Sequence, residues 1–472
     1  MENTKRRLNP AVKVVGNPII KQDRPWEGPD IRLVGVFFDH RLGTFRLRYN
    51  TGRFYTDGRN EKGEIIVRGE YDRVGAARRT CEAFSSDGVV WEKPNLGLVE
   101  FEGSTANNIL PDSAHMHRTF IMNGTFEDLH DPDPARHYKG LMTTGGVKDK
   151  GMTITYYYSP DAYHWTAYPG NPVVHLGEYV GRWGPAFLFG WDPIRQVYAM
   201  HLENNLHMNS PYARRSIGRT ESPDLIHWTT PETFLVKDNR DYPDTEFYAM
   251  PTAISDGWYF GLLWIFSTTN TTHFPQFIFS RDGVEYNRDY REPAIVPGSN
   301  GDFDSVSLYA QEPIFHQDEI FCFYYGTNWR SPEQLLELGD KAVAAIGLAK
   351  LPRDGFISLE SGRLEPSFVT TRTFTFSGSQ LHLNVRSALQ QWGAGPCEVS
   401  VELLDERHAP LPGFTMAEAD VVTKTGVNRL ISWNGRSDVS SLAGRPIRLK
   451  IRFKNAKLYA FQFSDGTGAG RR

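Results

Sequence analysis

The chain has 472 residues, more than one hydrophobic core usually serves, so we expect two or more domains. Hydrophobic residues make up 40% and charged residues 23%, which excludes an intrinsically disordered protein. The formal net charge of −4 argues against nucleic acid or an anionic membrane surface as a partner. The sequence shows no apolar run of about 18 residues and no export signal near Met1, so we expect a soluble, cytoplasmic protein unless a signal was trimmed from it.

Metal and disulfide chemistry have little support in the sequence. The three cysteines, Cys81, Cys322 and Cys397, are far apart and show no CxxC or CxxH spacing, which predicts neither a disulfide framework nor a zinc site. His115 and His117 would share one face of a strand, a spacing that suits a metal ion or substrate hydroxyls. No third ligand lies nearby in the sequence. We therefore expect neither a metal nor a cofactor.

A short turn around an aspartate recurs along the first 360 residues. Each copy follows one predicted strand, such as residues 153–158 and 276–279. In the four better copies an aromatic residue four positions after the aspartate begins the next strand. The copies are Ser85–Trp91, Ser159–Trp165, Ser222–Trp228, Ser280–Tyr286 and the degenerate Leu351–Phe356. Because these turns recur in every repeat, we interpret their aspartates as structural.

A predicted hairpin precedes each aspartate turn. The five hairpins are Val36–Leu47, Asp133–Leu141, Trp191–Tyr198, Ile254–Phe260 and Phe315–Phe323. Every repeat therefore reads as strand, turn, strand, connection, strand, aspartate turn, strand, which is typical of a four-stranded antiparallel blade. Five such repeats predict an all-β fold in which residues 1–360 form a five-bladed β-propeller.

A different pattern begins after residue 360. Apolar and polar residues alternate over several short segments, with turns such as Pro412-Gly413 and Asn434-Gly435 between them. The segments are 367–371, 380–385, 398–403, 447–453 and 458–463. This alternating pattern predicts a C-terminal β-sandwich over residues 361–472. The sandwich either stabilises the propeller by packing on it or binds carbohydrate in its own right.

Several stretches together resemble one known group of proteins. They are 23–27, 86–97, 107–109, 134–139, 280–283, 411–414, 431–435, 442–446 and 458–463. The chain is similar over nearly its whole length to a divergent bacterial group called glycoside hydrolase family 32-like, within the five-bladed propeller glycosidases that also include family 43. The nucleophile, Arg-Asp-Pro and acid motifs of true family 32 enzymes are absent here. The resemblance therefore implies the scaffold and carbohydrate chemistry but not cleavage of sucrose or fructan.

Glycoside hydrolysis needs two carboxyl groups, one to protonate the leaving group and one to act as nucleophile or base. In propellers of this type the innermost strand of each blade borders a central funnel, so acids at the entrance of those strands are the candidates. The predicted catalytic pool is Glu27, Asp244, Glu246 and Asp304. In an extended chain Asp244, Glu246 and Tyr248 would share one face, and two carboxylates so close would raise one pKa.

Five side chains beside these acids are predicted to contact sugar. They are Trp26, Arg182, Trp183, Tyr248 and Tyr309, which offer aromatic faces for stacking or a guanidinium for hydroxyl groups. We predict a glycoside hydrolase with a carbohydrate substrate. A glycan-binding propeller without catalysis is the alternative, supported by the absent motifs. A scaffold for protein contacts is a third hypothesis, although the WD and kelch signatures are missing.

Overall fold

The computed structural model describes residues 1–52, 54–59, 65–69, 79–111, 125–144, 152–179, 183–206, 214–330, 334, 337–362, 365–387 and 396–465. Strands dominate the described residues, and single-turn 3-10 helices cover Pro134–Arg136, Leu176–Glu178, Gly339–Lys341 and Ser440–Leu442. The all-β fold class is therefore confirmed. His115, His117 and Arg182 lie outside the described residues, so the predictions made for them keep their sequence basis only.

The described strands are numbered in chain order. The first sixteen are β1 Thr4–Leu8, β2 Val12–Lys13, β3 Asp30–Asp39, β4 Thr44–Gly52, β5 Phe54–Arg59, β6 Ile65–Gly69, β7 Arg79–Ser85, β8 Thr125–Glu127, β9 Tyr138–Thr144, β10 Thr153–Ser159, β11 Thr166–Ala167, β12 Val174–His175, β13 Trp183–Asp192, β14 Val197–Leu206, β15 Arg214–Ser222 and β16 Glu232–Leu235. The rest are β17 Thr245–Ala249, β18 Thr252–Ser255, β19 Trp258–Ser267, β20 Thr272–Ser280, β21 Tyr286–Asn287, β22 Ser307–Ala310, β23 Ile314–His316, β24 Glu319–Thr327, β25 Ala344–Pro352, β26 Ile357–Ser361, β27 Ser367–Thr370, β28 Gln380–Ser387, β29 Glu398–Leu404, β30 Gly426–Leu430, β31 Arg448–Lys454 and β32 Ala456–Ser464.

The chain divides into two compact units. Unit 1 consists of Met1–Pro10, Phe315–Ile320 and Leu351–Arg472, and unit 2 consists of Ala11–Ile314 and Phe321–Lys350. The predicted boundary after residue 360 differs from this division in two ways. Unit 1 also includes Met1–Pro10, and its C-terminal segment already begins at Leu351. The reason is that β1 pairs antiparallel with β26, from Thr4 opposite Ser361 to Leu8 opposite Ile357, which joins both segments to unit 1.

The sheets of unit 2 are chiefly antiparallel meanders in chain order. One has the order β13-β14-β15-β16, and another has the order β17-β19-β20-β21 with β18 also paired to β19. A third has the order β11-β10-β9-β8 with β12 paired to β10. The largest sheet continues from β22-β24-β25 into β3-β4-β7 through one parallel pair, Ala344 opposite Asp30. This repetition agrees with the meander predicted for each repeat.

The recurring aspartate turns have a common geometry. Asp161 Oδ1 accepts hydrogen bonds from the backbone N–H groups of Tyr163 and His164, each at 2.8 Å. The indole Nε1 of Trp165 donates to the carbonyl of Ala162 at 3.0 Å and closes the turn. Equivalent aspartate bonds form around Asp87, Asp224 and Asp282. The carboxylates therefore cap backbone donors in each turn, as a structural aspartate does.

Unit 1 contains a separate hydrophobic core. Its five-stranded sheet has the order β1-β26-β32-β28-β30, and its three-stranded sheet has the order β27-β31-β29. Alternation along β31 buries Leu449, Ile451 and Phe453, which pack in one cluster with Trp433. Trp433 satisfies its indole N–H by donating to the carbonyl of Val401 at 2.8 Å. Residues of β28, β29, β31 and β32 thus share one core.

Candidate active site around Arg215

Two buried glutamates meet on one guanidinium in unit 2. Glu203, near the end of β14, and Glu246, in β17, are 6% and 7% exposed. Arg215 near the start of β15 places Nε 3.3 Å from Glu203 Oε1 and pairs closely through Nη1 with Glu246 Oε2. Asn205, the cross-strand neighbour of Arg215, donates to Glu203 Oε1 at 2.6 Å. The site therefore brings two carboxylates from different sheets onto one cation.

Strand register explains how aromatic rings surround this ion pair. Glu246 in β17 lies opposite Phe266 in β19, and Phe266 lies opposite His273 in β20, so the three form one row across the sheet. His273 stacks on Phe266 with ring centroids 4.5 Å apart and planes 13° apart. The Arg215 guanidinium lies 5.5 Å from the Phe266 ring centroid and 5.3 Å from that of Tyr248. These distances are within the range of cation–π interactions.

Two tyrosines extend the aromatic surface towards a third sheet. Tyr309 in β22 lies opposite Tyr325 in β24, and their rings stack with centroids 4.5 Å apart and planes 11° apart. Tyr309 lies 4.6 Å from the His273 ring, and Tyr248 meets the same ring edge-on at 5.0 Å. We call Glu203, Arg215, Glu246, Tyr248, Phe266, His273 and Tyr309 the Arg215 cluster. It draws side chains from six strands that are distant in sequence.

Burial sets the protonation states in the Arg215 cluster. Desolvation raises the pKa of Glu203 above its ordinary value, and neighbouring Glu246 adds to the rise, while Arg215 offsets part of it. Burial followed by the charge of Arg215 lowers the pKa of His273 to about 3, so its imidazole is neutral at physiological pH. Within the described residues, neither ring nitrogen of His273 has a hydrogen-bond partner. The cluster thus offers an acid with a raised pKa and a neutral imidazole.

Asp244 lies beside the cluster but in a different environment. It precedes β17 and accepts a hydrogen bond from Ser267 Oγ at 2.6 Å. That hydroxyl, together with the backbone and side chain of Thr269, lowers the pKa of Asp244. Of the predicted acids and tyrosines, the structure therefore brings together Glu246, Tyr248 and Tyr309, and it leaves Asp244 at their edge.

Glu27 is held in a separate polar network. It is 1% exposed, and its carboxylate accepts hydrogen bonds from Tyr49 at 2.5 Å and from Lys93 at 2.8 and 2.9 Å. The backbone N–H groups of Asp23 and Arg24 bind the same carboxylate. Trp26 donates its indole N–H to Asn108 Oδ1 at 2.8 Å. These partners show how Trp26 and Glu27 anchor the chain before β3, and a role for either residue in sugar chemistry stays a prediction.

Asp304 and Trp183 have partners outside the Arg215 cluster. Asp304 is 2% exposed, accepts a hydrogen bond from the Tyr324 hydroxyl at 2.7 Å and pairs with Lys13 at 2.5 Å. Trp183 packs in a hydrophobic core with Leu141 and Ile154. Both side chains thus have structural partners, and their predicted roles in the site remain untested.

Sequence reasoning missed Glu203, Arg215 and His273. All three lie on the second or third strand of a sheet, whereas the acids predicted from the sequence are those at the entrances of first strands. A signal was present, because the polar run from Glu203 to Asn205 follows the largely apolar first part of the same strand. A further acid, Glu312, lies two residues after β22, and burial raises its pKa to about 8.

No group of three or more His, Cys, Asp or Glu residues able to hold a metal occurs among the described residues. The three cysteines are buried and free. In the part of the chain that the structure describes, no helix has the length and apolar character needed to cross a membrane.

Comparisons with known proteins give distant structural likenesses. No family model matches the chain, and no curated protein matches it. A solved fructofuranosidase from Schwanniomyces occidentalis, in complex with fructosylnystose, is similar at 12% identity and a TM-score of 0.44 over 96% of each chain. A beta-1,2-mannobiose phosphorylase from Listeria innocua is similar at 13% identity and a TM-score of 0.44, over 72% of this chain and 96% of that one.

A glycosyl hydrolase from Bacteroides ovatus is a third similar structure, at 13% identity and a TM-score of 0.44, over 73% of this chain and 94% of that one. All three are carbohydrate-active proteins by their names. The scores are below 0.5, so the likenesses carry no weight for the chemistry of this chain.

Proposed function

We propose that the protein is a carbohydrate-active enzyme of the propeller glycosidase type, similar to the family 32-like group. In this proposal unit 2 is a five-bladed β-propeller, and β3, β13, β17 and β22 are the innermost strands of four of its blades. Residues 119–122, which fall outside the described residues, would supply the fifth. The C-terminal residues 361–472 would form the β-sandwich. The meander order of the sheets and the recurrence of the aspartate turns support this layout.

The observation that carries the functional proposal is the meeting of Glu203 and Glu246 at Arg215. Hydrolysis of a glycosidic bond requires one protonated and one ionised carboxyl group. Glu203, with its raised pKa, is suited to protonate the leaving oxygen. Glu246, ion-paired with Arg215, is suited to act as the charged partner, either as nucleophile or as base for water. The reaction needs no cofactor.

Aromatic residues of the cluster suit a sugar substrate. A pyranose or furanose ring presents C–H groups that pack on aromatic faces, and its hydroxyl groups need directional partners. Tyr248 and Tyr309 flank His273, whose ring nitrogens have no hydrogen-bond partner within the described residues. Because both ring nitrogens are buried, His273 supports the two tyrosine rings from behind. We propose that Tyr248 and Tyr309 bind the sugar next to the carboxylates.

Glycan binding without turnover is the second proposal, and one observation favours it. Arg215 contacts both glutamates, so each carboxylate is already partly neutralised by the same cation. An arrangement in which Arg215 never moves would orient hydroxyl groups without supplying a free acid. The protein would then bind a glycan and release no product.

A panel of oligosaccharides and polysaccharides, incubated with the purified protein, tests the two proposals. A hydrolase releases a reducing sugar from at least one glycan, whereas a binding protein gives saturable binding in calorimetry with no product after long incubation. Phosphorolysis, which requires inorganic phosphate, is distinguished by running the panel with and without phosphate. If the panel gave no product and no binding, both proposals would be contradicted.

A further inference from the structure

A polar cleft lies on unit 1, which contains the C-terminal segment for which the sequence left stabilisation and carbohydrate binding as alternatives. Its volume is about 700 Å³, and its lining includes Lys5, Arg7, Glu360, Ser361, Asn455 and Lys457. This volume falls in the range of small-ligand sites. All the residues that line it belong to unit 1, so the cleft is separate from the Arg215 cluster.

Strand register places the charges of the cleft in order. Lys5 in β1 lies opposite Glu360 in β26, and Glu360 lies opposite Lys457 in β32, so the three form one row across the sheet. Glu360 Oε2 pairs with Arg7 Nε at 2.9 Å, and Glu360 Oε1 pairs with Lys457 Nζ at 2.7 Å. One carboxylate thus holds two cations in position.

The cleft therefore has an excess of positive charge and free donors. Three cations face one carboxylate, and the Lys5 ammonium makes no hydrogen bond or ion pair with the described residues. The side-chain amide of Asn455 is equally without a partner among the described residues. Asn455 has a φ of 50°, a left-handed conformation in the tight turn between β31 and β32. A short polar residue tolerates this conformation, which fixes the backbone that carries the amide.

We propose that this cleft binds an acidic saccharide, with its carboxylate or sulfate group at Lys5 and Arg7 and its hydroxyl groups at Asn455. Two unneutralised positive charges favour an anion. Among the described residues no aromatic ring lines the cleft, so a neutral sugar would lack a stacking surface there, and its affinity would depend on hydrogen bonds alone. The proposal concerns unit 1 only and goes beyond the reaction proposed for unit 2.

Isothermal titration of the whole protein with trigalacturonate tests the proposal, with maltotriose as the neutral probe and a sulfated disaccharide as the second acidic probe. We expect saturable binding of an acidic probe that weakens as salt rises from about 50 to about 500 mM, because exposed charges are screened. Lys5→Ala should weaken this binding about five-fold, the effect of losing one exposed charge contact. The matched control Lys424→Ala removes an exposed charge from the same unit, outside the cleft, and should leave binding unchanged.

Each alternative result has a definite meaning. Equal binding of acidic and neutral probes, or no binding of either acidic probe, would overturn the proposal. Equal weakening in Lys5→Ala and Lys424→Ala would show general charge attraction and would also overturn it. Lys5→Ala distinguishes this cleft from the Arg215 cluster, because Lys5 lies outside unit 2. Binding that Lys5→Ala leaves unchanged would belong to another site, such as that cluster, and would also overturn the proposal.

Discussion

Arg215 and Glu246 form an ion pair that joins β15 to β17, two strands of different sheets. The pair is buried on the Glu246 side, whereas the Arg215 side chain is 30% exposed. Because Glu203 contacts the same guanidinium, the loss of Arg215 would leave two buried carboxylates without their cation. The ion pair thus connects the stability of unit 2 with the chemistry proposed for it.

Arg215→Ala is expected to lower the free energy of unfolding by about 2 kcal/mol, because breaking a buried pair leaves uncompensated charge, and partial exposure of Arg215 moderates the loss. Urea unfolding measures the change. The control is Arg195→Ala, which breaks the more exposed pair with Glu221 and should cost less than about 1 kcal/mol. Equal losses in the two variants would show that Arg215 stabilises the protein no more than the exposed Arg195–Glu221 ion pair does.

His273→Phe is expected to change how the free energy of unfolding depends on pH in the acidic range. Burial lowers the folded-state pKa of His273 to about 3 from 6.5, so below pH 6.5 the unfolded chain gains a proton that the folded chain does not. Stability is therefore lost as pH falls from about 6.5 towards 3. Phenylalanine keeps the stacking on Phe266 but cannot be protonated, so it removes this contribution to the pH dependence of stability. The free energy of unfolding measured at several pH values should fall less steeply in the variant, and parallel curves would contradict the assignment.

Glu312→Gln is expected to change the pH dependence of stability in the opposite direction. Burial raises the folded-state pKa of Glu312 from 4.5 to about 8, so between these values the folded chain retains a proton that the unfolded chain releases. Stability is therefore lost as pH rises through this window. Melting temperatures from pH 5 to pH 8 should decline less in Glu312→Gln than in the wild type. The exposed Glu285→Gln serves as control and should follow the wild-type profile.

Asp224→Ala is expected to destabilise the protein by about 1 kcal/mol, because two backbone N–H groups lose their acceptor and water can replace it only in part. Asp224→Asn retains an acceptor oxygen and should lose less. Thermal unfolding of the two variants checks the order. Loss of glycan turnover without loss of stability in Asp224→Ala would contradict the structural role of the turns.

The repeating elements could be predicted from the sequence because their signals are local. The predicted strand 153–158 lies within β10, and the predicted strand 276–279 lies within β20. Each is defined by alternation and by an aspartate turn that follows it directly. Local hydrogen bonds such as that from Ser159 to Asp161 reproduce the same turn each time.

The site could be predicted only in part, because it depends on register between distant segments. Period-two alternation placed Glu246 and Tyr248 on one face, but it gave no information on which strand would lie opposite them. Arg215 reaches Glu246 from a separate sheet, and no spacing within either strand encodes that contact. In the same way, the partners of Glu27 include Lys93, which is 66 residues away.

The most direct measurement of the central claim is the rate of reducing-sugar release by Glu203→Gln and Glu246→Gln, using a glycan that the wild type cleaves. If these two carboxyl groups perform the hydrolysis, each variant should lose at least about a hundred-fold in kcat while its melting temperature stays within a few degrees of the wild type. The control is Glu221→Gln, an acid of the same unit that pairs with Arg195 and Arg219, and it should retain the rate. A wild-type rate in either cluster variant would contradict the claim.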